Sequence, residues 1–166
     1  MDLSEARLAA ADAVHRLVDR HETFATAESL TGGLVAATVV EIPGVSAVYR
    51  GGLVVYATDL KASLAGVPEP LLAERGPVDP QVAVALAAGC RERCGADWGL
   101  ATTGVAGPEP QDGKPVGLVY IAVAGAAGAA VRELRLDGNR DAIRTESVTS
   151  VLRLLSGTLQ EAPSPV

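Results

Sequence analysis

The order of the apolar segments constrains the fold of this chain more than any other feature of its sequence. Short uncharged runs alternate with stretches in which apolar residues recur at helical spacing, and the last two runs are separated only by a Gly-containing turn. Strands that alternate with helices pair in parallel, whereas strands joined by a tight turn form an antiparallel hairpin. We therefore predict an α/β fold, a three-layer α/β/α sandwich with a mixed β-sheet. The predicted strands are 23–27, 51–57, 98–104, 116–125 and 129–136.

Five helices are predicted around these strands, over 3–20, 33–42, 58–66, 78–95 and 139–159. The helix at 78–95 has the clearest start, because Asp79 is a favourable N-cap residue and Pro80 follows at the first helical position. Thr58 is the N-cap residue expected for the short helix that follows segment 51–57. That segment has no polar alternation, which predicts a central strand covered on both faces.

Composition and charge limit the class of protein. A chain of 166 residues suits one domain, expected over residues 1–160, with a flexible tail over 161–166. Hydrophobic residues make up 48% of the chain and aromatic residues only 3%, so the core must consist of Ala, Val and Leu. The net charge of -6 and the lack of a basic patch argue against a nucleic-acid partner. No apolar run could span a membrane and the amphipathic N-terminal segment is unlike a signal peptide, so we expect a cytoplasmic protein.

Polar residues interrupt the apolar sequence between the first strand and the second helix, in the segment "ESLTGG" at 28–33. Ser29 lies where the strand ends, and Gly32 and Gly33 allow the backbone to approach a bound group closely. Backbone N–H groups at the start of the helix could bind an oxyanion or a phosphate. The same residues also fit a simple turn in which Ser29 or Thr31 caps the helix, and spacing alone favours that interpretation.

Lysine is rare in this chain. Of the fourteen basic residues only Lys61 and Lys114 are lysines, and only lysine loses its proton readily. With Thr58 as the N-cap, Lys61 lies in the first turn of its helix, where the helix dipole disfavours a positive charge. That field and apolar neighbours would lower the pKa of Lys61 and make a neutral amine accessible to a nucleophilic serine. Asp59 acts in the opposite direction, and a solvated lysine at a helix start fits the residue equally well.

Further polar residues stand at the ends of apolar segments and could contribute to a site: Ser46, Tyr56, Thr103 and Arg140. They supply hydroxyl groups and one fork-shaped cation, a set suited to an anionic, polar small molecule. Each of them also fits an ordinary turn, cap or surface position.

The histidines and cysteines are less informative. His15 and His21 lie on or just after the first helix and are expected to face solvent, so neither is favoured as the base of a Ser-His-Asp triad. Cys90 and Cys94 are four residues apart in a predicted helix, a spacing that rarely allows a disulfide, and no further ligand lies nearby to complete a zinc site. We expect both to be small, semi-buried packing residues.

Several ordered motifs together resemble the CinA C-terminal domain family of competence/damage-inducible proteins. The motifs are E-S-x-T-G-G at 28–33, G-G-x-x-x-Y at 51–56 with a lysine five residues later, T-G-x-A-G-P at 103–108, K-P-V-G at 114–117 and G-x-R-x-x-x-R at 138–144. The resemblance extends over residues 5 to 158, and its specificity comes from the matching order and spacing of the motifs.

The resemblance implies a Ser-Lys hydrolase. Stand-alone members of the family are nicotinamide mononucleotide deamidases, which convert nicotinamide mononucleotide and water to nicotinate mononucleotide and ammonia in pyridine nucleotide salvage. Carried over by motif, Ser29 is the nucleophile, Lys61 the base, and Tyr56 assists proton transfer. The substrate-binding residues expected are Ser46, Thr103, Arg140 at the phosphate, and Thr31, Gly32 and Gly33 on the surface that receives the substrate. The resemblance also implies the α/β/α fold, a homodimer or higher homo-oligomer, and no metal or organic cofactor.

One loop departs from the family pattern. Family members often carry a Gly-rich stretch after T-G-x-A-G-P, whereas this chain has "GPEPQDGKPVG" over 107–117. Its prolines and acidic residues make the loop stiffer and more negative, which would weaken phosphate binding if the loop meets the ligand rather than solvent. Two other functions stay open: an amidase for a different nucleotide amide, and a noncatalytic nucleotide-binding or interaction module. The presence of both Ser29 and Lys61 in a lysine-poor chain favours catalysis.

Overall fold

The computed structural model describes the chain from Met1 to Val166 and confirms the α/β prediction. The helices are α1 (Ser4–Arg20), α2 (Leu34–Val39), α3 (Thr58–Ser63), α4 (Glu69–Arg75), α5 (Pro80–Arg93) and α6 (Arg140–Glu161). The strands are β1 (Phe24–Glu28), β2 (Tyr49–Val54), β3 (Trp98–Gly104), β4 (Leu118–Gly125) and β5 (Gly128–Arg135). A single 3-10 turn, Val45–Ala47, precedes β2.

The five strands form one mixed sheet in the order β2-β1-β3-β4-β5. β1 pairs in parallel with β2 and with β3, whereas β4 pairs antiparallel with β3 and with β5, as the alternation and the hairpin predicted. Glu28 lies in register with Val54 of β2 and with Thr102 of β3. The residues that follow these three parallel strands therefore meet at one edge of the sheet, where ligands bind in open α/β folds.

The prediction that segment 51–57 forms a central strand was wrong. β2 is an edge strand whose residues alternate between half-buried and exposed. Its exposed positions are occupied by Arg50, Gly52 and Val54, so the alternation is present in the structure but two of the three residues that carry it are not polar. Because a glycine and a valine occupy exposed positions, segment 51–57 has the uninterrupted apolar pattern that is typical of a strand covered on both faces.

Two apolar cores cover the two faces of the sheet and complete the three-layer sandwich. α1, α2 and α6 pack on one face against large strand residues such as Phe24, Leu100 and Ile121. α4 and α5 cover the other face, where the strand residues are alanines, namely Ala25, Ala27, Ala101, Ala122 and Ala124. The alternation of large and small residues along each strand reflects the twofold period of strand side chains.

Glycines allow α5 to lie close to its neighbours on the alanine face. A Cβ atom at Gly89 of α5 would run into the carbonyl oxygen of Ala65, and one at Gly99 of β3 would run into that of Ala87. Such contacts leave no room for an added methyl group, because protein interiors are close-packed.

Several local predictions need correction. Thr58 is not the N-cap of α3 but its first residue, and Ala57 occupies the N-cap position without a side-chain hydrogen bond. Lys61 is therefore the fourth helical residue, not the third. Helix α4 was not predicted, although Pro70 at its second position is a start signal. Asp79 is confirmed as the N-cap of α5, since its carboxylate accepts hydrogen bonds from the N–H groups of Gln81 and Val82.

The last helix is longer than predicted and ends at Glu161, inside the expected tail. The guanidinium of Arg20 donates hydrogen bonds to the carbonyl oxygens of Ala162 and Pro163, which attach the start of the tail to the end of α1. None of the helices is both long and apolar enough to cross a membrane.

Candidate active site

A pocket opens at the edge of the sheet where β1, β2 and β3 end. Its empty volume, including the open mouth, is about 510 Å³, which lies within the usual range for small-molecule sites. Five of the predicted site residues line it: Ser29, Tyr56, Lys61, Thr103 and Arg140. They come from four separate segments of the chain, so the pocket exists only in the folded protein.

The central contact of the pocket joins Lys61 to Ser29. The Lys61 Nζ atom lies 3.0 Å from Ser29 Oγ, although the residues are separated by 32 positions in the sequence. Ser29 is 8% exposed and Lys61 is 1% exposed. A serine hydroxyl and a lysine amine at hydrogen-bond distance form the nucleophile and base pair of Ser-Lys hydrolases.

Burial changes the acid strength of Lys61. The amine lies at the bottom of the pocket without a carboxylate partner, and desolvation lowers its pKa to about 8. Its other two hydrogen-bond partners are the carbonyl oxygens of Val55, at 2.8 Å, and Tyr56, at 3.2 Å. The lowering of the Lys61 pKa expected from the sequence is thus found, and burial of the amine causes it.

Glu28, which directly precedes Ser29, stabilises the turn formed by residues 29–33. Its buried carboxylate accepts hydrogen bonds from the Thr31 hydroxyl at 2.7 Å and from the N–H groups of Val35 at 2.8 Å and Ala36 at 3.1 Å. These are first-turn donors of α2, which a nearby acidic side chain satisfies in place of an N-cap residue. Neither Ser29 nor Thr31 caps the helix, because Gly33 occupies the N-cap position.

Thr31, Gly32 and Gly33 lie outside the pocket lining. The Thr31 hydroxyl is fully buried and is occupied by Glu28 and by the Thr102 hydroxyl, 2.8 Å away. Gly32 and Gly33 have φ values of 58° and 99°, which allow the sharp turn between Ser29 and α2. The structure therefore gives these three residues a role in shaping the turn and no contact with the pocket.

Ser46 is also outside the pocket. It lies exposed on the 3-10 turn before β2 and makes no side-chain hydrogen bond. Within this chain Ser46 therefore cannot contact a substrate bound in the pocket.

Arg140 forms one wall of the pocket from the first turn of α6. Its guanidinium donates hydrogen bonds to the carbonyl oxygen of Gly107 at 2.6 Å and to the Tyr56 hydroxyl at 3.2 Å. Tyr56 is 61% exposed and its hydroxyl contacts Arg140, not Ser29 or the Lys61 amine. Three of the five guanidinium N–H groups remain free to bind an anion.

The segment that departs from the family pattern lines the same pocket. Glu109 and Gln111 of the loop over 107–117 are lining residues, so part of this loop faces the pocket and not only solvent. Thr103, at the end of β3, also lines the pocket, and its hydroxyl donates to the carbonyl oxygen of Pro77 at 2.6 Å. An acidic side chain and a basic one, Glu109 and Arg140, thus share one cavity.

Two residues that support the turn were not singled out from the sequence, Glu28 and Arg144. The guanidinium of Arg144, on α6, donates to the carbonyl oxygens of Leu30 and Thr31. The signal for Glu28 was an acid at the end of an otherwise apolar strand. For Arg144 it was the second arginine of G-x-R-x-x-x-R, one helical turn after Arg140.

The histidines and cysteines take no part in the pocket. His15 and His21 are exposed, as predicted, and Cys90 and Cys94 are unpaired, one buried and one half-buried. No group of three or more His, Cys, Asp or Glu side chains is arranged to hold a metal ion.

Comparison with known proteins gives consistent similarities. The model of the CinA C-terminal domain family matches residues 7–159. A CinA-like protein of Frankia casuarinae is 53% identical over 148 residues, or 89% of this chain, and one of Geobacter sulfurreducens is 48% identical over 141 residues, or 84% of it. Both relatives are longer, and the aligned region spans 34% of each.

Solved structures are similar over almost the whole chain. The crystal structure of the competence/damage inducible protein CihA from Agrobacterium tumefaciens has a TM-score of 0.90 and 35% identity, covering 97% of this chain and 100% of that one. A CinA superfamily protein from Klebsiella pneumoniae has a TM-score of 0.91 and 26% identity, covering 95% and 99% of the two chains.

Proposed function

The chain belongs to the CinA C-terminal domain family, and from this membership and the buried Ser29–Lys61 contact we propose that it is an amidase that hydrolyses nicotinamide mononucleotide. The products are nicotinate mononucleotide and ammonia, as the family resemblance implies. The single observation that carries the proposal is the 3.0 Å contact between Ser29 Oγ and Lys61 Nζ at the bottom of a pocket. The proposal includes a role in pyridine nucleotide salvage. It also includes a homo-oligomeric state, which light scattering on the purified protein tests by measuring the mass of the assembly.

The surroundings of Lys61 favour its action as a base. A neutral amine has two hydrogens and one lone pair, and two of the three partners of Lys61 Nζ are carbonyl oxygens, which only accept hydrogen bonds. Because these carbonyls take the two hydrogens, the lone pair points to the remaining partner, the Ser29 hydroxyl. The neutral amine is therefore oriented to receive the serine proton.

The reaction follows from this arrangement in two steps. Ser29 Oγ bonds to the carboxamide carbon of the substrate while its proton passes to Lys61, and the C–N bond then breaks as Lys61 returns the proton to the leaving ammonia. Water then attacks the carbonyl carbon of the resulting ester and loses a proton to Lys61, and the bond to Ser29 Oγ breaks as Lys61 passes that proton to Oγ, which releases the carboxylic acid and restores the serine. The positive pyridinium ring of the bound substrate would favour the neutral form of Lys61 further.

Backbone N–H groups at the pocket can stabilise the oxyanion of the intermediate. The first-turn donors of α2 at Val35 and Ala36 are not available, because the Glu28 carboxylate occupies them. The N–H groups of Leu30, Ala106 and Gly107 have no acceptor within the protein, and all three residues line the pocket. These are the donors we assign to the oxyanion site, in place of those at the helix start.

Arg140 is the proposed phosphate ligand. It is the only arginine among the lining residues, and its free N–H groups can form charge-assisted hydrogen bonds with phosphate oxygens. Thr103 also lines the pocket and is a further proposed contact of the substrate. The bond from Arg140 to Tyr56 gives Tyr56 a role in orienting this cation, alongside the role in proton transfer expected from the resemblance.

Ammonia release from nicotinamide mononucleotide by the purified protein tests the proposal. We expect release by the wild type and at least a thousandfold less by Ser29→Ala and by Lys61→Ala. Ser63→Ala, at an exposed serine of α3, and Lys114→Ala, at the other lysine, serve as matched controls with wild-type rates. Unchanged release in Ser29→Ala would disprove the nucleophile assignment.

The rival functions are distinguished by the same assay. Parallel reactions with free nicotinamide and with nicotinamide adenine dinucleotide reveal an amidase for a different amide. If no amide is hydrolysed while mononucleotides bind at micromolar concentration, the chain is a noncatalytic nucleotide-binding module. This chain spans about a third of the length of its longer relatives, so the proposal concerns the activity of this domain alone.

A further inference from the structure

Arg144 has no function in the reaction described above, yet it is held in an unusual position. It is half-buried on α6, forms no ion pair, and donates from Nε to Leu30 O at 2.9 Å and from Nη2 to Thr31 O at 3.1 Å. These carbonyl groups belong to the two residues that directly follow the nucleophile. Arg144 does not line the pocket, so it has no access to the substrate.

The turn after Ser29 is held from two sides by groups of opposite charge. Glu28 accepts hydrogen bonds from the turn and from α2, whereas Arg144 donates hydrogen bonds to the turn. Hydrogen bonds to charged groups are stronger than those between neutral groups. Gly32 and Gly33 have no Cβ, so without these hydrogen bonds the segment could leave its positive-φ conformation for others.

We propose that Arg144 is a positioning residue that holds Ser29 Oγ at its reactive distance from Lys61, acting through the carbonyl groups of Leu30 and Thr31. Those two hydrogen bonds fix the orientation of the peptide groups beside Ser29, because the planar guanidinium presents Nε to one acceptor and Nη2 to the other in a fixed geometry that the single nitrogen of an ammonium group lacks. The inference rests on the proposed function only in treating Ser29 as the nucleophile. The identity of the substrate does not enter it.

The two arginines at the start of α6 then have separate tasks. Arg140 lines the pocket as the proposed phosphate ligand, whereas the hydrogen bonds of Arg144, one helical turn later, go to the two residues that follow Ser29. Loss of Arg140 should therefore raise KM, and loss of Arg144 should lower kcat while KM stays the same.

The experiment compares Arg144→Met and Arg144→Lys with the wild type and with Arg153→Met. Arg153 lies on the same helix and forms a surface ion pair with Glu5, so its replacement is a matched control. Two readouts are measured: kcat and KM for ammonia release from nicotinamide mononucleotide, and the rate at which a fluorophosphonate probe labels Ser29. In labelling, Ser29 Oγ bonds to phosphorus, fluoride leaves, and the serine proton passes to Lys61, so the labelling rate does not depend on recognition of the nucleotide.

We expect Arg144→Met to lower both kcat and the labelling rate at least tenfold, with KM within twofold of the wild type. Arg144→Lys should recover part of the loss, because it restores one of the two hydrogen bonds. All variants should show the cooperative thermal unfolding of the wild type, which separates loss of positioning from loss of folding. Wild-type labelling and wild-type kcat in Arg144→Met would overturn the inference, and so would a change confined to KM.

The two readouts separate this inference from the proposed function. If the wild type is labelled at Ser29 but releases no ammonia, the proposed substrate is wrong, and the labelling rates of the variants still decide the role of Arg144. If the wild type is neither labelled nor active, Ser29 is not a nucleophile and both proposals fail.

Discussion

Glu28 and Ser29 are neighbours in the chain, yet their side chains lie on opposite faces of the sheet. The Glu28 carboxylate binds the N–H groups that begin α2 on one face, and the Ser29 hydroxyl meets the amine of Lys61, which α3 supplies from the other. The alternation of β1 continues through this pair, with Phe24 packed in one core and Ala25 and Ala27 in the other. Glu28 thus anchors the turn, and the residue after it is the proposed nucleophile.

The anchoring role of Glu28 predicts a cost in stability for Glu28→Gln. The carboxylate accepts three hydrogen bonds, and an amide in its place must direct an NH₂ group at a donor. We expect the free energy of unfolding to fall by about 2 kcal/mol, measured in urea. Glu146→Gln, at an exposed position of α6, is the control and should stay within about 0.5 kcal/mol of the wild type. Equal stability of the two variants would contradict the anchoring role.

The pKa of Lys61 predicts the pH dependence of the reaction. Because burial lowers that pKa to about 8, the fraction of neutral amine rises about tenfold per pH unit below pH 8 and levels off above it. We expect kcat/KM for ammonia release to follow this curve. Lys61→Arg should be inactive at every pH, since a guanidinium stays protonated. A flat profile between pH 6 and 9 would exclude Lys61 as the base.

Lys61 also makes stability depend on pH. Its pKa is about 8 in the folded protein and 10.5 when unfolded, so between these values the unfolded chain binds more protons than the folded one. The free energy of unfolding of the wild type, relative to Lys61→Met, should therefore increase with pH through this window, by about 3 kcal/mol in total. Below pH 8 the difference should be independent of pH. Urea unfolding of both proteins at pH 7, 9 and 10.5 measures it, and a difference that shrinks as the pH rises would contradict the buried amine.

The acidic wall of the pocket predicts a gain in affinity for Glu109→Gln. Glu109 shares the cavity with Arg140, the proposed phosphate ligand, and its negative charge opposes a bound phosphate. We expect KM for nicotinamide mononucleotide to fall about threefold at low ionic strength, and less at high salt. Nicotinamide riboside, which lacks the phosphate, should show no such gain. Glu92→Gln, on the exposed side of α5, is the control, and equal KM values for both variants would place the Glu109 carboxylate away from the phosphate.

The close approach of α5 predicts opposite effects for two Gly→Ala substitutions in helices. At Gly89 a methyl group would collide with the carbonyl oxygen of Ala65, and we expect a loss of about 3 kcal/mol. At Gly157 of α6 no atom lies within 4 Å of the added Cβ, and the higher helix propensity of alanine should stabilise the protein by up to about 1 kcal/mol. Thermal or urea unfolding measures both. Similar effects of the two substitutions would mean that α5 is not held so close to Ala65.

Local patterns were sufficient to predict every strand and every helix except α4, but not the order of the strands in the sheet. Helical spacing and turn residues identified α1, α5, α6 and the hairpin of β4 and β5, because the information for each lies within its own segment. The edge position of β2 depends on which strands pair across the sheet, and its exposed Gly52 and Val54 concealed it.

Pocket residues were predicted from a rare residue type, from a position at the end of an apolar segment, or from the family resemblance. Lys61 drew attention as one of two lysines, and Ser29 by its position at a strand end. Arg144 is one of twelve arginines, and its acceptors lie 113 and 114 residues away in the sequence, so the G-x-R-x-x-x-R motif marks the residue without indicating what it contacts. Ser46 was expected in the site by resemblance, and the structure places it on an exposed turn outside the pocket.

The position of α6 in the chain has a consequence for biosynthesis. Ser29 and Lys61 leave the ribosome well before Arg140 and Arg144, and domains form from the N-terminus onward during translation. A nascent chain therefore contains the proposed nucleophile and base before it contains α6, whose Arg140 lines the pocket and whose Arg144 donates a hydrogen bond to the carbonyl oxygen of Leu30. On the proposed function, stalled or truncated products that lack α6 should carry an unreactive Ser29, and amidase activity should appear only when translation has passed the last helix.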